Sequence, residues 1–106
     1  MAIKRIWHGW TTLENADKYQ NILMNVVLPG IEAKKISGYS GIEVLRTDHQ
    51  DEVEFVTMMT YDSLESVVGL QGADYKKCYV PEIAQSVLKR WDAEATHLEI
   101  IDNRIY

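Results

Sequence analysis

The chain has 106 residues, a length that suits a single domain spanning 1–106. Hydrophobic residues make up 46% of it, which is enough for a packed core and excludes a disordered chain. Its 16 acidic and 11 basic residues give a formal net charge of -5. The basic pairs, Lys4-Arg5 among them, are scattered along the chain, and we interpret them as solvated helix faces or strand ends. We therefore expect no nucleic-acid partner, because phosphate binding needs clustered Lys and Arg.

The cysteine content and the hydropathy indicate a compartment. Cys78 is the only cysteine, so no intrachain disulfide is possible, and this fits a reducing interior. The first residues lack the apolar stretch and cleavage site of a secretory signal, and no apolar run approaches the length of a membrane span. We expect a soluble, cytoplasmic protein without a membrane partner.

The first half of the chain predicts a strand, a helix and a hairpin. Residues 3–10 have the composition of a strand, and 11–14 fit a capping box that begins a helix. Apolar residues then recur at helical spacing until Pro29 and Gly30, where we expect the helix to end. Alternating segments at 40–46 and 53–60, joined by the polar turn 48–51, predict the hairpin.

The second half predicts helices and a closing strand. Asp62 and Glu65 fit a second helix cap, and Gly69 and Gly72 are expected to break that helix. Pro81 suits the first turn of a further helix that carries apolar residues to Trp91. Residues 96–101 are predicted to form the last strand. The order β-α-β-β-α-β predicts an α+β, ferredoxin-like antiparallel sheet with one face free of helices. Such a face favours pairing of two chains.

These segments resemble the antibiotic biosynthesis monooxygenase family, whose members are dimeric α/β barrels. The matching residues run through most of the chain, at 6–11, 16–19, 29–31, 38–43, 53–57, 62–65, 73–75, 80–81 and 97–99. The resemblance implies a homodimer with its sheets face to face and a pocket between sheet and helices. It also implies an oxidoreductase that oxidises an aromatic, quinol- or polyketide-like molecule with dioxygen and no cofactor.

Two other functions remain open. The first is a non-enzymatic barrel that binds a small hydrophobic ligand. The second is haem binding or degradation, which other members of the superfamily perform with a His on the second helical region. Residues 72–88 contain no His, and the third strand ends in Met59-Thr60-Tyr61 where such relatives commonly carry a Trp. The sequence therefore favours haem least.

His97, on the closing strand, is the candidate catalytic residue. A neutral imidazole there could accept a phenolic proton near neutral pH and leave an anion able to reduce dioxygen. The alternative is a structural His, hydrogen-bonded to a neighbouring strand or at the dimer contact. His8 could lie near His97, and with Glu99 the two could bind a metal. Their spacing matches no standard motif, so we predict no metal site.

The predicted ligand site is completed by Tyr61, Tyr75, His8, Arg46 and Asp74. Tyrosine hydroxyls near the ends of strands and helices could orient a ligand oxygen. The ligand itself is expected to be an aromatic or hydrophobic small molecule.

Two of these residues have a competing interpretation. Arg46 could stabilise a developing oxyanion, or it could pair with Glu43 or Asp48 at the surface, which is the favoured interpretation. Asp74 with Tyr75 could hold a lid over the pocket, or Asp74 could cap a helix.

Overall fold

The computed structural model describes residues 1–106 and shows an α+β domain. A π-helical turn, Leu23–Val27, joins the first two helices into one continuous helical segment. The strands are β1 (Ile3–Thr11), β2 (Tyr39–Asp48), β3 (Val53–Tyr61), β4 (Arg90–Trp91) and β5 (Thr96–Glu99). The helices are α1 (Ala16–Ile22), α2 (Leu28–Ala33), α3 (Leu64–Gln71) and α4 (Glu82–Gln85).

The strands form one antiparallel sheet in the order β2-β3-β1-β4, and β5 also pairs with β1. The first strand is therefore central, with the hairpin on one side and the closing strands on the other. This confirms the predicted ferredoxin-like arrangement. The register places Arg5 of β1 opposite Met59 of β3 and His97 of β5, and it places His8 opposite Val56.

One face of the sheet is covered by all the helices. Along β3, every second residue from Val53 to Tyr61 is buried, because side chains alternate between faces with a period of two. Helix residues pack on these positions in two clusters, and Tyr19 meets the ring of Phe55 edge-on at 4.9 Å. The opposite face carries no helix. We call it the open face; it includes Ile6, His8, Trp10, Leu45, Val56, Met58 and Leu98.

The predicted start and end of the first helix are wrong. Thr11 belongs to β1, and its hydroxyl is buried without a partner. Asn15 is the N-cap instead, and Thr12 accepts a hydrogen bond from the Asn15 amide at 3.2 Å. Pro29 does not end the helix, because it falls in the first turn of α2, after the π-helical turn, where a proline is tolerated.

The second half also departs from its prediction. Ser63 caps α3 by accepting a hydrogen bond from the Ser66 amide at 3.3 Å, and the helix runs through Gly69. It ends at Gly72, whose φ of 82° favours glycine. Helix α4 is only four residues long, and Trp91, predicted as helical, lies in β4. None of the helices has both the length and the apolar character of a membrane span.

Candidate functional site

A largely apolar cavity lies between the helix-covered face of the sheet and the helices. Its volume is about 370 Å³, near the lower end of the range for small-molecule sites. Trp7 and Met59 contribute to the sheet side, and Leu23 and Ile31 contribute to the helix side. The lining also includes exposed residues, among them Val26, Lys34 and Tyr79, so the cavity is open to solvent on that side.

The position of the Trp7 ring depends on the absence of a side chain at Gly9. A Cβ atom built on Gly9 would lie 2.6 Å from the indole ring of Trp7, so no other residue fits there without moving the ring. The Trp7 indole N–H donates to the main-chain oxygen of Asp92 at 2.9 Å. These two contacts fix the ring that lines the cavity.

Arg5 is the buried charged residue of this cavity and is only 5% exposed, whereas Lys34 is exposed to solvent. Nη1 donates to the main-chain oxygen of Tyr75 at 2.6 Å and lies 2.8 Å from His97 Nε2. Nη2 donates to the main-chain oxygen of Lys77 at 3.2 Å and contacts Cys78 Sγ at 3.8 Å. All four partners are neutral acceptors when His97 is neutral.

The guanidinium of Arg5 forms no ion pair with a carboxylate of the chain. None of the ion pairs in the structure includes it. An arginine keeps its proton in a protein, so the buried group is a cation. Removing an unpaired ion from water is costly. The cavity is therefore apolar in most of its lining and carries one buried positive charge.

His97 lies beside Arg5 and does not line the cavity. Because Arg5 can only donate, Nε2 of His97 is the acceptor, and a neutral ring then carries its proton on Nδ1. Burial, the Arg5 charge and the Lys76 charge lower the pKa of His97 below 6.5. The ring meets Tyr75 edge-on at 5.2 Å. This hydrogen bond to a residue on the neighbouring strand corresponds to the structural alternative considered for His97.

The two predicted tyrosines are placed differently. Tyr75 touches the Arg5 group through its main-chain oxygen and through the ring of His97. Tyr61 is fully buried in the second cluster, and its hydroxyl contacts the sulfur of Met59 at 4.0 Å. Burial raises the pKa of Tyr61 to about 12. Neither tyrosine lines the cavity.

His8 lies on the open face, on the opposite side of the sheet from His97. The alternation along β1 separates His8 from Arg5, which shares the face of His97. His8 Nδ1 lies 3.0 Å from Asp92 Oδ2, and its ring stacks on Trp10 at 5.9 Å. The proximity considered for the two histidines is therefore absent. No three His, Cys, Asp or Glu side chains converge in a way that could hold a metal ion.

Arg46 and Asp74 lie outside the cavity. Arg46 donates to Asp48 and to Asp17, each at 2.9 Å, and this is the surface pairing favoured from the sequence. The hydrogen bonds raise the pKa of Arg46 and lower the pKa of Asp48. Asp74 is exposed and lies 3.9 Å from Lys77.

Sequence reasoning missed Arg5, Trp7 and Cys78 as residues of the cavity. Arg5 was assigned to the solvent with the other basic pairs. The signal that could have found it is the alternation of β1, where Ile3, Arg5, Trp7, Gly9 and Thr11 share one face. A cation among apolar residues of one face is a candidate for burial.

The fold and the cavity together define a ferredoxin-like domain that encloses a small-molecule-sized space between sheet and helices. Comparison of the sequence finds no matching protein-family model and no matching curated protein. Several solved structures share the fold. One is a candidate antibiotic biosynthesis monooxygenase from Bacillus cereus, at 12% identity and a TM-score of 0.64, covering 99% of this chain and 98% of that one.

Two further structures are similar over nearly the whole chain. A candidate antibiotic biosynthesis monooxygenase from Nitrosomonas europaea has 7% identity and a TM-score of 0.65, covering 94% of this chain and 90% of that one. A NIPSNAP family protein from Agrobacterium tumefaciens has 16% identity and a TM-score of 0.57, covering 96% and 95%. Identities this low establish the fold alone. Because the fold occurs under different family names, the function has to be argued from the site.

Proposed function

We propose that the protein binds an aromatic, quinol-like small molecule in the cavity and oxidises it with dioxygen, without a metal or flavin. The observation that carries this proposal is the combination of an apolar cavity with one buried cation, Arg5, in its wall. An apolar cavity suits a flat ring system, which would displace water from it on binding. A fixed positive charge favours the anion of a phenol or enol over its neutral form.

The reaction of an anthrone illustrates the proposed chemistry. Loss of one proton gives an enolate, whose oxygen would lie beside Arg5 and whose carbon is electron-rich. The anion passes an electron pair to dioxygen, the carbon keeps one oxygen atom as a ketone, and the second leaves as water. Anthrone and dioxygen thus become anthraquinone and water, with no other reductant.

Two roles are open for His97 in this reaction. As a base, it would take the substrate proton on Nε2, and Arg5 would have to release that nitrogen. As a positioning residue, it would stay neutral and hold Arg5, and the proton would pass to solvent. The 2.8 Å contact with Arg5 and the lowered pKa of His97 favour the positioning role.

The proposal includes a homodimer formed through the open face. Leu45 and Leu98 are 42% and 50% exposed there. Val56 and Met58, at its centre, are half-buried although no helix covers them. Apolar residues in such numbers on one uncovered face are typical of an interface. A second sheet packed against this face would remove them from water.

A non-enzymatic ligand-binding protein is the alternative that the same cavity allows. Haem is not favoured, because no His lines the cavity. Oxygen consumption by the metal-free protein, measured against a panel of anthrones and hydroquinones, separates the first two functions. Catalysed uptake that Arg5→Met abolishes supports the oxidase. Tight binding of the same compounds with uptake at background supports the binding protein.

A further inference from the structure

Arg5 has one donor that the protein leaves unused. Four hydrogen-bond contacts involve Nη1 and Nη2, and Nε–H makes none. The residue is nevertheless only 5% exposed, and it lines the cavity. The Nε–H group therefore remains free to donate to a further acceptor. A ligand in the cavity could supply the missing acceptor.

The Nη2 group of Arg5, which neighbours Nε, makes only weak hydrogen bonds. Nε–H and one Nη2–H of a guanidinium project from the same edge, in the fork that matches two oxygens of one anionic group. At Nη2 the partners are a thiol sulfur at 3.8 Å, which is a weak acceptor, and a main-chain oxygen at 3.2 Å. An anionic oxygen could replace the sulfur without breaking either Nη1 contact.

The charges around Arg5 do not neutralise it. Lys76 adds a further positive charge that acts on His97, the neighbour of Arg5. Two carboxylates lie in the connection between β4 and β5. Of these, Asp92 is engaged with His8 at 3.0 Å, and Glu94 is exposed to solvent. The cation is therefore buried, has no ion-pair partner and lies in the wall of the cavity.

We infer that the natural ligand carries an anionic oxygen group, a carboxylate or a phenolate, which binds the Nε–Nη2 edge of Arg5. The apolar body of the ligand would then lie along Trp7 and the helix side of the cavity. This inference rests on the proposed function, since it takes the cavity as the ligand site. It adds the chemical class of the ligand, an aromatic acid or ionised phenol.

The test measures binding by isothermal titration calorimetry under argon, so that no turnover occurs. The probes are 2-naphthoate, 2-naphthol and 2-naphthalenemethanol, which share a ring system and differ in charge. The variants are Arg5→Met, which removes the charge, and Arg5→Lys, which keeps the charge but loses the fork. Arg46→Met is the matched control, because Arg46 is on the same sheet face but is neutralised by Asp17 and Asp48.

Wild-type protein is expected to bind an anionic probe about tenfold or more tightly than the alcohol. Preference for naphthoate at all pH values identifies a carboxylate. Preference for naphthol that grows from about pH 7 to about pH 9 identifies a phenolate. Arg5→Met should remove the preference, Arg5→Lys should weaken it, and Arg46→Met should leave it unchanged.

Equal affinity for acid, phenol and alcohol in wild-type protein overturns the inference, and so does an anion preference that survives Arg5→Met. Binding of none of the three probes overturns it as well. The comparison of the three probes in wild-type protein tests the inference even if Arg5→Met does not fold. Failure of oxygen uptake with the anion preference intact would reject the oxidase while leaving the inference standing.

Discussion

Arg5 Nη1 lies 2.8 Å from His97 Nε2, so a buried cation and a half-buried imidazole on neighbouring strands share one hydrogen bond. The imidazole must be unprotonated on Nε2 for this contact to exist. The positive charge of Arg5 in the cavity wall is thus combined with a neighbouring histidine that resists protonation.

Replacement of His97 separates the base from the positioning residue. His97→Gln keeps an oxygen that can accept from Arg5, whereas His97→Ala leaves that donor without a partner. If His97 positions Arg5, the Gln variant should retain oxygen uptake within about threefold and the Ala variant should lose about tenfold. Loss of uptake in both variants, with folding preserved by circular dichroism, would instead establish His97 as the base.

The stability of the protein should fall on mild acidification because of His97. Its pKa is lowered in the folded state, so the unfolded chain binds more protons below the ordinary value of 6.5. The stabilisation is therefore present above about pH 6.5 and is lost as the pH falls toward the folded pKa. Urea unfolding from about pH 7 to about pH 5 should show a smaller loss for His97→Gln than for wild type.

The comparison isolates His97 because every other ionisable side chain is present in both proteins. The hydrogen bonds from Arg90 and Lys89 also lower the pKa of Glu52 to about 2, well below the pH range of the measurement. An identical loss of stability in wild type and His97→Gln would show that His97 does not titrate as described.

Gly9→Ala should disturb the cavity through Trp7. The new methyl group would lie 2.6 Å from the indole ring, so the ring must move. Overpacking of this kind costs about 1–3 kcal/mol of unfolding free energy. The variant should also show an altered Trp fluorescence and weaker naphthoate binding. Gly41→Ala is the control, since a Cβ atom added at Gly41 would have no other atom within 4 Å. Equal stability of the two variants would contradict the described packing.

Val56→Asp should dissociate the proposed dimer. Val56 lies at the centre of the open face, opposite His8 on one side and Leu45 on the other. A carboxylate there would be buried without a partner in a sheet-on-sheet interface, and it should raise the dissociation constant about tenfold or more. Light scattering with size-exclusion chromatography measures the mass. Val68→Asp, on the exposed side of α3, should leave the dimer intact. A monomeric wild type at micromolar concentration would reject the dimer itself.

The sequence predicted the sheet well because strand alternation is a local property. Each buried position of β3 could be read from a period of two, and the closing strand from its apolar and β-branched residues. The helix boundaries were harder. Thr11 fits a cap by its spacing, but the pairing of β1 with β3 extends the strand through it. Pro29 fits a helix end, but the preceding π-helical turn lets the helix continue.

The candidate site was less accessible to prediction. His97 and Tyr75 were selected from the sequence and do meet at Arg5, whereas Arg46 and Asp74 lie at the surface. Arg5 itself was assigned to the solvent, because Lys4-Arg5 resembles the exposed basic pairs elsewhere in the chain. The main-chain oxygen that it binds, from Tyr75, is 70 residues away along the chain.

The sequence alone therefore determined the order of the elements, the antiparallel ferredoxin-like class and the existence of one uncovered face. These depend on periodicity, turns and connection lengths, which are local. Only the tertiary structure decided that His8 and His97 lie on opposite faces and that Arg5 is buried without an ion-pair partner. Those facts depend on the register between distant strands and on which carbonyls the segment 75–78 presents, and short-range patterns do not fix either one.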